Sequence, residues 1–299
     1  VAEIFAGTIT KPGLWPHIPE DAYHADPVQE GSLSHSGAKL LLPPSCPAIY
    51  DWQRKHPKRS SKAQDRGTVV HSLVLGRGQD VAVLDFPNRR TDKYKEAEAK
   101  ALKAGQIPML AKDFEQAKEI AAAVKAHHTA GPLLDEGDPE VSIFWQDDEH
   151  GIWCRARADW LTWIDGMPTI ADVKTTADVS PEHWAKSAAD FAYHMQDPWY
   201  RRGLAAVLGC DPADVDFIFI VIPTTPPYLP MLYRLHPADV ERGAEQGRIA
   251  REIYRDCTQT GVWPDWTGGT GEITELKLPG YARSRIERTL SDWTGIHDF

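Results

Sequence analysis

The sequence predicts a mixed α/β (α+β) fold: a central mixed β-sheet flanked by helices, with further helices decorating its N-terminal side. Three observations predict it. Apolar strand-like runs crowd the middle of the chain, in "EVSIFWQDDEHGIWCRARADWLTWIDGMPTIADVKTT" and "DVDFIFIVIP". Stretches with helix-capping residues precede, separate and follow them. The resulting order is helices, a three-stranded meander, helix, strand, strand, helix, which suits one sheet covered on its faces.

Residues 1–33 are rich in Pro, Gly and His with little periodicity and are expected to form an irregular arm. "SHSGAKLLL" then offers Ser34 or Ser36 as an N-cap ahead of an apolar run. "SCPAIYDWQRK" repeats the device, with Ser45 as cap and Pro47 early in the helix. "DRGTVVHSLVLG" is a third helix ended by Gly76, and "VAVLDF" is a strand. Residues 92–104 and 112–128 read as helices rich in Lys, Glu and Ala. The meander follows, with turns at Gly151 and at Asp165–Gly166, since Asp-Gly between apolar runs marks a hairpin. Ser180 and Pro181 start a helix that Gly209 ends. The near-continuous apolar run "DFIFIVIP" suits a strand in the middle of a covered sheet. "YLPMLYRLH" is a last strand, and residues 237–261 are an amphipathic helix.

A chain of 299 residues is large for one domain and small for two. One domain over residues 34–299, preceded by the arm, is expected. The longest apolar run is far too short to span a bilayer, and the N-terminus has no signal-peptide pattern. No membrane association and a cytoplasmic location are expected. Cys46, Cys154, Cys210 and Cys257 form no C-x-x-C, which argues against a zinc ribbon or a clustered iron–sulfur site. The net charge of −10 argues against a protein that coats nucleic acid, yet leaves room for an enzyme with a local basic groove.

Two acids and a lysine interrupt the apolar meander: Asp159, Asp172 and Lys174. Residues two apart on a strand share a face, so Asp172 and Lys174 point the same way. The Asp-Gly hairpin can bring Asp159 beside them. Two carboxylates meeting at one point suit Mg²⁺ or Mn²⁺, and an adjacent Lys can orient or deprotonate a bound water. A structural ion pair, Asp172–Lys174 or Asp159–Arg157, is the competing reading. His71 sits among apolar neighbours in "GTVVHSLVLG", as a core residue or as an imidazole completing a carboxylate site. Gln196 and Tyr200, four apart, share a helix face.

Taken together these residues resemble the PD-(D/E)XK nuclease superfamily. The ordered set is His71, Asp159, the D-V-K of Asp172 to Lys174, and the Q-x3-Y of Gln196 and Tyr200. The His and Q-x3-Y are similar to those of the RecB-type branch. "SHSGAKLLLPPSCPAIYDW", "GTVVHSLVLG", "RARADWL" and "ADVKTT" resemble the RecE-like group, that of exodeoxyribonuclease VIII and its phage relatives. The resemblance covers roughly residues 32–260. It departs from the pattern where Ala158, not Pro, precedes Asp159.

The resemblance implies a restriction-endonuclease-like core and Mg²⁺-dependent hydrolysis of DNA phosphodiesters. It implies digestion of one strand of duplex DNA from a 5′ end, leaving 3′ tails for recombination. It also implies a homo-oligomeric ring (trimer or tetramer), a single-strand annealing partner, and a bacterial or phage-infected host. Asp159 and Asp172 become metal ligands, with His71 and the Val173 carbonyl as further ligands and Lys174 as the water-positioning group. Gln196 and Tyr200 support the site or touch DNA. Glu140 can bind a second metal or be a solvated strand-end acid. For DNA contacts, Lys39, Arg66, Arg155, Arg157, Thr175, Thr176, Arg201 and Arg202 are the candidates, each of which can equally be an ordinary surface or strand-end residue. Three other readings stay open: an endonuclease or single-strand nuclease, a non-catalytic DNA-binding module, and a metal hydrolase with a non-nucleic substrate.

Overall fold

The computed structural model describes residue 5, residues 7–56 and residues 62–294, with backbone alone for 62–66 and 294. The chain enters through strand β1 (Gly13–Trp15), helix α1 (Glu20–His24) and strand β2 (Leu33–Ser34). Helix α2 (His35–Leu40) is capped by Ser34, whose side chain accepts from the Gly37 N–H at 3.2 Å. Helix α3 (Pro47–Lys55) starts at Pro47, whose missing N–H costs nothing in a first turn. Its N-cap is Cys46 rather than the expected Ser45, whose hydroxyl is buried without a hydrogen-bond partner among the described residues.

Helix α4 (Lys62–Leu75) ends where Gly76 turns left-handed, φ +67°. Strand β3 (Val81–Leu84), helix α5 (Asp92–Lys103) and strand β4 (Ile107–Leu110) form a small parallel βαβ unit, β3 pairing with β4. Helices α6 (Ala111–Ala126) and α7 (Ala130–Leu133) lead to the meander of β5 (Asp138–Asp147), β6 (Ile152–Ile164) and β7 (Met167–Thr176). The single helix expected after it is two, α8 (Pro181–Asp190) and α9 (Tyr193–Leu208), broken at Ala192 with φ +58°. Strands β8 (Asp216–Pro223) and β9 (Met231–Tyr233) and helices α10 (Pro237–Thr260) and α11 (Gly280–Thr294) complete the order.

The main sheet runs β1-β5-β6-β7-β8-β9, with β2 also on β6. It is antiparallel except for the parallel pairs β2–β6 and β7–β8, so it is mixed, as expected. β8 explains its own sequence. Phe217, Phe219 and Val221 pack on the side of α9 and α10, while Ile218, Ile220 and Ile222 pack toward α4 and α6. A strand buried on both faces has no polar side, and each such side chain contributes about 1.5–3 kcal/mol by burial. Gly203 lets α9 lie close to the sheet, since a Cβ there would sit 2.5 Å from the Trp145 ring.

The arm is not irregular throughout. β1 adds an edge to β5, and Trp15, Ile18, Tyr23 and Val28 close a small core with Phe144 and Trp153. Aromatic residues scattered at irregular spacing carry no period, which is why the segment reads as unstructured. Among the described residues, no helix is long and apolar enough to cross a membrane.

Candidate active site

The β6–β7 hairpin turns on Asp165 and Gly166, both at positive φ (+50° and +84°), and its register pairs Trp160 with Ala171. One step further the ladder stops, and Asp159 and Asp172 come next on the two strands. The Val173 N–H donates to Asp159 Oδ2 at 2.8 Å in place of a ladder partner. On the other side of β6, pairing passes from Val141–Ala158 to Pro139–Trp160, and Glu140 between them is left-handed at φ +57°. Ala156 and Ala158 face the α9 side, yet so does Leu161. The pleat therefore slips by one residue at Asp159, a local break of the kind that re-aims a side chain beside a site. The left-handed Glu140 costs on the order of 1–3 kcal/mol of backbone strain.

This break gathers three ligand-type groups. His71, from α4, places Nε2 3.0 Å from Asp159 Oδ2 and Nδ1 3.4 Å from Glu140 Oε1. One ligand atom from each of His71, Glu140 and Asp159 lies within 4.8 Å of the others. Glu140 is thus no solvated strand-end acid: it is half-buried and pairs with Arg157 at 2.5 Å. The cluster lines a cavity of about 540 Å³ together with Arg155, Arg157 and Tyr200.

Asp172 stands beside this trio. It is buried, accepts from Gln196 Nε2 on Oδ1 at 2.5 Å, and pairs with Lys174 through Oδ2. Lys174 stands against Oδ2, and the second lone pair of this buried oxygen keeps an unused acceptor direction among the described residues.

The electrostatics follow from burial and crowding. Burial works against a charged His71, but Asp159, Glu140 and Asp172 outweigh it and raise its pKa to about 9. Burial pushes Asp172 up to about 6 against the pull of Lys174, and the neighbouring Asp159 charge adds to the rise. Asp159 goes the other way: burial opposes its charge, yet His71, Lys174 and the Val173 N–H hold its pKa below the ordinary value. Burial also opposes the Lys174 charge, but Asp172 and Asp159 raise its pKa. The positive charges of His71, Lys174 and Arg157 thus stand against three carboxylates.

Tyr200 lines the cavity and meets the Arg157 backbone, with burial holding its hydroxyl well above the usual phenol range. Lys39 is half-buried on α2, and burial and then the Lys174 charge lower its pKa. Arg155 lines the cavity but is tied to Asp26 at 2.7 Å and to the Ser32 hydroxyl at 2.7 Å. Arg201 and Arg202 are not brought to the cavity. Arg201 pairs with Asp197 and donates to the Val215 carbonyl at 2.7 Å, and Arg202 pairs with Asp147 at 2.8 Å. On β7, Thr175 lies against Gly67 of α4, and Thr176 closes a turn, meeting the Asp178 carbonyl at 3.2 Å. The Val173 backbone enters through its N–H. The Arg66 side chain lies outside the described residues.

Sequence reasoning missed His35, Tyr193 and the arm. His35 is buried on α2 and its Nε2 donates to the Ala192 carbonyl at 3.2 Å. Tyr193 presents its ring to Lys174 Nζ at 5.1 Å. Its place three residues before Gln196 was a usable signal, because i and i+3 share a helix face. Tyr23, from the arm, lies under the Arg155 and Arg157 guanidinium groups at 5.6 and 5.4 Å.

A family profile described as "PDDEXK-like domain of unknown function (DUF3799)" matches residues 34–275. No curated protein matches the chain. Among solved structures it is similar to a protein from Eubacterium rectale provisionally named an exonuclease, with a TM-score of 0.58. Identity is 13%, and the alignment covers 88% of this chain and 96% of that one, so the likeness is one of fold. A second structure, SSO0001, aligns over 72% of this chain and 91% of its own at 14% identity. Its TM-score of 0.26 carries no argument.

Proposed function

The chain belongs to this PDDEXK-like family, and from that premise we propose that it is a divalent-metal-dependent nuclease that digests linear duplex DNA from its ends. The observation that carries the reading is the His71–Glu140–Asp159 cluster set against the Asp172–Lys174 pair at the break in the sheet.

A hard divalent cation fits the donors. Two carboxylates and an imidazole converge within 4.8 Å, and the buried Asp172 Oδ2 has an unused acceptor direction next to them. His71, Glu140 and Asp159 would hold Mg²⁺ or Mn²⁺, with Asp172 alongside. Such an ion supplies an activated water and positive charge for a phosphodiester. The chain's own residues do the rest. Lys174 brings a positive charge and N–H donors to the phosphate as negative charge grows on it. Gln196 fixes the Asp172 carboxylate, and so the direction in which Lys174 is drawn. To hold the cation His71 would have to be neutral, because only neutral imidazole ligates.

Attack from 5′ ends, 3′ single-stranded products, a ring assembly and an annealing partner belong to the proposal through the RecE-like resemblance. The provisional name of the Eubacterium rectale protein, an exonuclease, supports end-directed cleavage. The test is incubation of purified protein with end-labelled linear and closed circular duplex DNA, with Mg²⁺ or with chelator. Loss of label from linear DNA alone, abolished by chelator, is expected. Equal cutting of closed circles would replace the exonuclease with an endonuclease, and activity in chelator would remove the metal.

A further inference from the structure

Lys174 reaches its position from a strand, yet its aromatic neighbour comes from a helix on the far side of a break in the chain. α8 and α9 are interrupted at Ala192, whose left-handed backbone (φ +58°, ψ +39°) redirects the chain. The His35 Nε2–H donates to the carbonyl of that residue at 3.2 Å, which ties the redirected segment to α2. α9 begins on the next residue, Tyr193. The Tyr193 ring lies 5.1 Å from Lys174 Nζ, inside the range in which a ring face attracts a cation.

The ring is backed by an aromatic column. Trp184 stacks on Tyr193 at 5.2 Å and 25° between planes. Tyr233 stacks on Trp184 at 6.2 Å and 18°, and its hydroxyl donates to the Val179 carbonyl at 2.5 Å. Phe219 of β8 meets both Tyr193 and Trp184, at 5.6 and 5.8 Å. A ring held this way has little freedom to follow the lysine, so the lysine follows the ring.

One helical turn further, Gln196 holds Asp172. The same face of α9 thus fixes both ends of the Asp172–Lys174 pair, the acid through an amide and the base through a ring. The two devices differ chemically. A second carboxylate beside Lys174 would occupy its N–H groups, whereas a ring face stabilises the positive charge and leaves N–H donors for other acceptors.

We propose that Tyr193 is the positioning residue for Lys174, its ring face holding the ammonium group beside Asp172 in the nuclease reaction proposed above. This inference rests on that reading, and its test separates the two. Single-turnover cleavage of linear duplex at saturating DNA is compared with binding of the same DNA in chelator. Tyr193→Leu should cleave about tenfold more slowly with unchanged DNA affinity, while Tyr193→Phe, which keeps the ring, should stay within about twofold of the parent. Tyr193→Met serves if the Leu variant does not fold. Lysine carrying a ¹³C label reports the contact without any reaction. The Lys174 εCH₂ resonance should be shifted upfield by the ring in the parent and the Phe variant, and should return to the ordinary lysine position in the Leu variant.

Equal loss in the Phe and Leu variants would overturn the inference, because it would assign the effect to the hydroxyl. So would a Leu variant that cleaves at the parent rate, or one whose defect lies wholly in DNA affinity. A parent protein inert on every DNA would instead sink the nuclease reading. An unshifted Lys174 resonance in that protein would overturn the contact as well.

Discussion

Asp172 is 1% exposed and has Gln196 and Lys174 on its two oxygens. Taking away the ammonium leaves a buried carboxylate beside Asp159 with nothing to balance it, so Asp172 will take up a proton more readily still. Lys174→Ala is therefore expected to lower single-turnover cleavage about 10²–10³-fold while sparing DNA affinity, as loss of a charge that acts on the transition state does. Cleavage and fluorescence anisotropy on one labelled duplex check this. His71 gives a pH prediction. Its folded pKa lies above the ordinary 6.5, at about 9, so the stability from its charge is full below 6.5 and is lost as pH rises through about 9. The metal-free protein should lose stability over that window, and Asp159→Asn should lower the His71 pKa seen by NMR. Mn²⁺ affinity should rise over the same window as the competing proton leaves. At this scale the sequence showed which residues carry charge into a strand. It could not show that Glu140 turns left-handed to join His71, because backbone strain is held by surrounding packing.

The hairpin that delivers Asp159 to Asp172 depends on a glycine. A Cβ at Gly166 would meet nothing within 4 Å, so the cost of Gly166→Ala is conformational alone, about 1–2 kcal/mol for a left-handed residue. Denaturant unfolding should register that loss with little change in activity, since the turn lies away from the acids. The neighbouring β5–β6 turn is held differently. Asp147 is fully buried, and it accepts from the His150 backbone N–H at 3.1 Å, with its side chain meeting the His150 ring at 2.7 Å, Arg202 of α9 at 2.8 Å and Arg251 of α10 at 3.0 Å. Asp147→Asn is expected to cost about 3–5 kcal/mol, because it leaves Arg251 charged and buried. Burial alone would raise the Asp147 pKa, but Arg251, His150 and Arg202 bring it below the ordinary 3.8. Its stabilisation is present above 3.8 and disappears as pH falls through the lower folded value, so acid unfolding should begin there in the parent protein. Of these elements, the Asp165–Gly166 hairpin and β8 were legible in the sequence. β3 was legible as a strand, but its partner β4 and the Ala192 break were not, since no local pattern announces a second sheet or a left-handed alanine.

The molecule as a whole carries a net charge of −10. To act on DNA as proposed, it must hold a polyanion against long-range repulsion, so grip has to come from a few local cations such as Lys39 and the exposed part of Arg157. DNA affinity should then fall steeply as salt rises, and titration of binding against salt gives the number of phosphates engaged. A salt-independent affinity would count against phosphate contacts and toward a non-nucleic substrate.

The sequence by itself determined the class of fold and the order of its chemistry. Alternation, Asp-Gly and glycine stops are local, and the spacing of His71, Asp159, Asp172, Lys174, Gln196 and Tyr200 is readable without coordinates. Only the tertiary structure decided how those residues divide. His71 and Asp159 join Glu140 on one side of the sheet break, and Asp172 and Lys174 face α9 on the other. It also decided that the arm belongs to the core and that Arg201 and Arg202 turn away from the cavity. The reason is physical. Where a charged side chain ends up depends on which opposite charge and which packed face lie within a few ångströms, and those neighbours come from other elements of the chain, as when His71 of α4 meets Glu140 of β5 and Asp159 of β6.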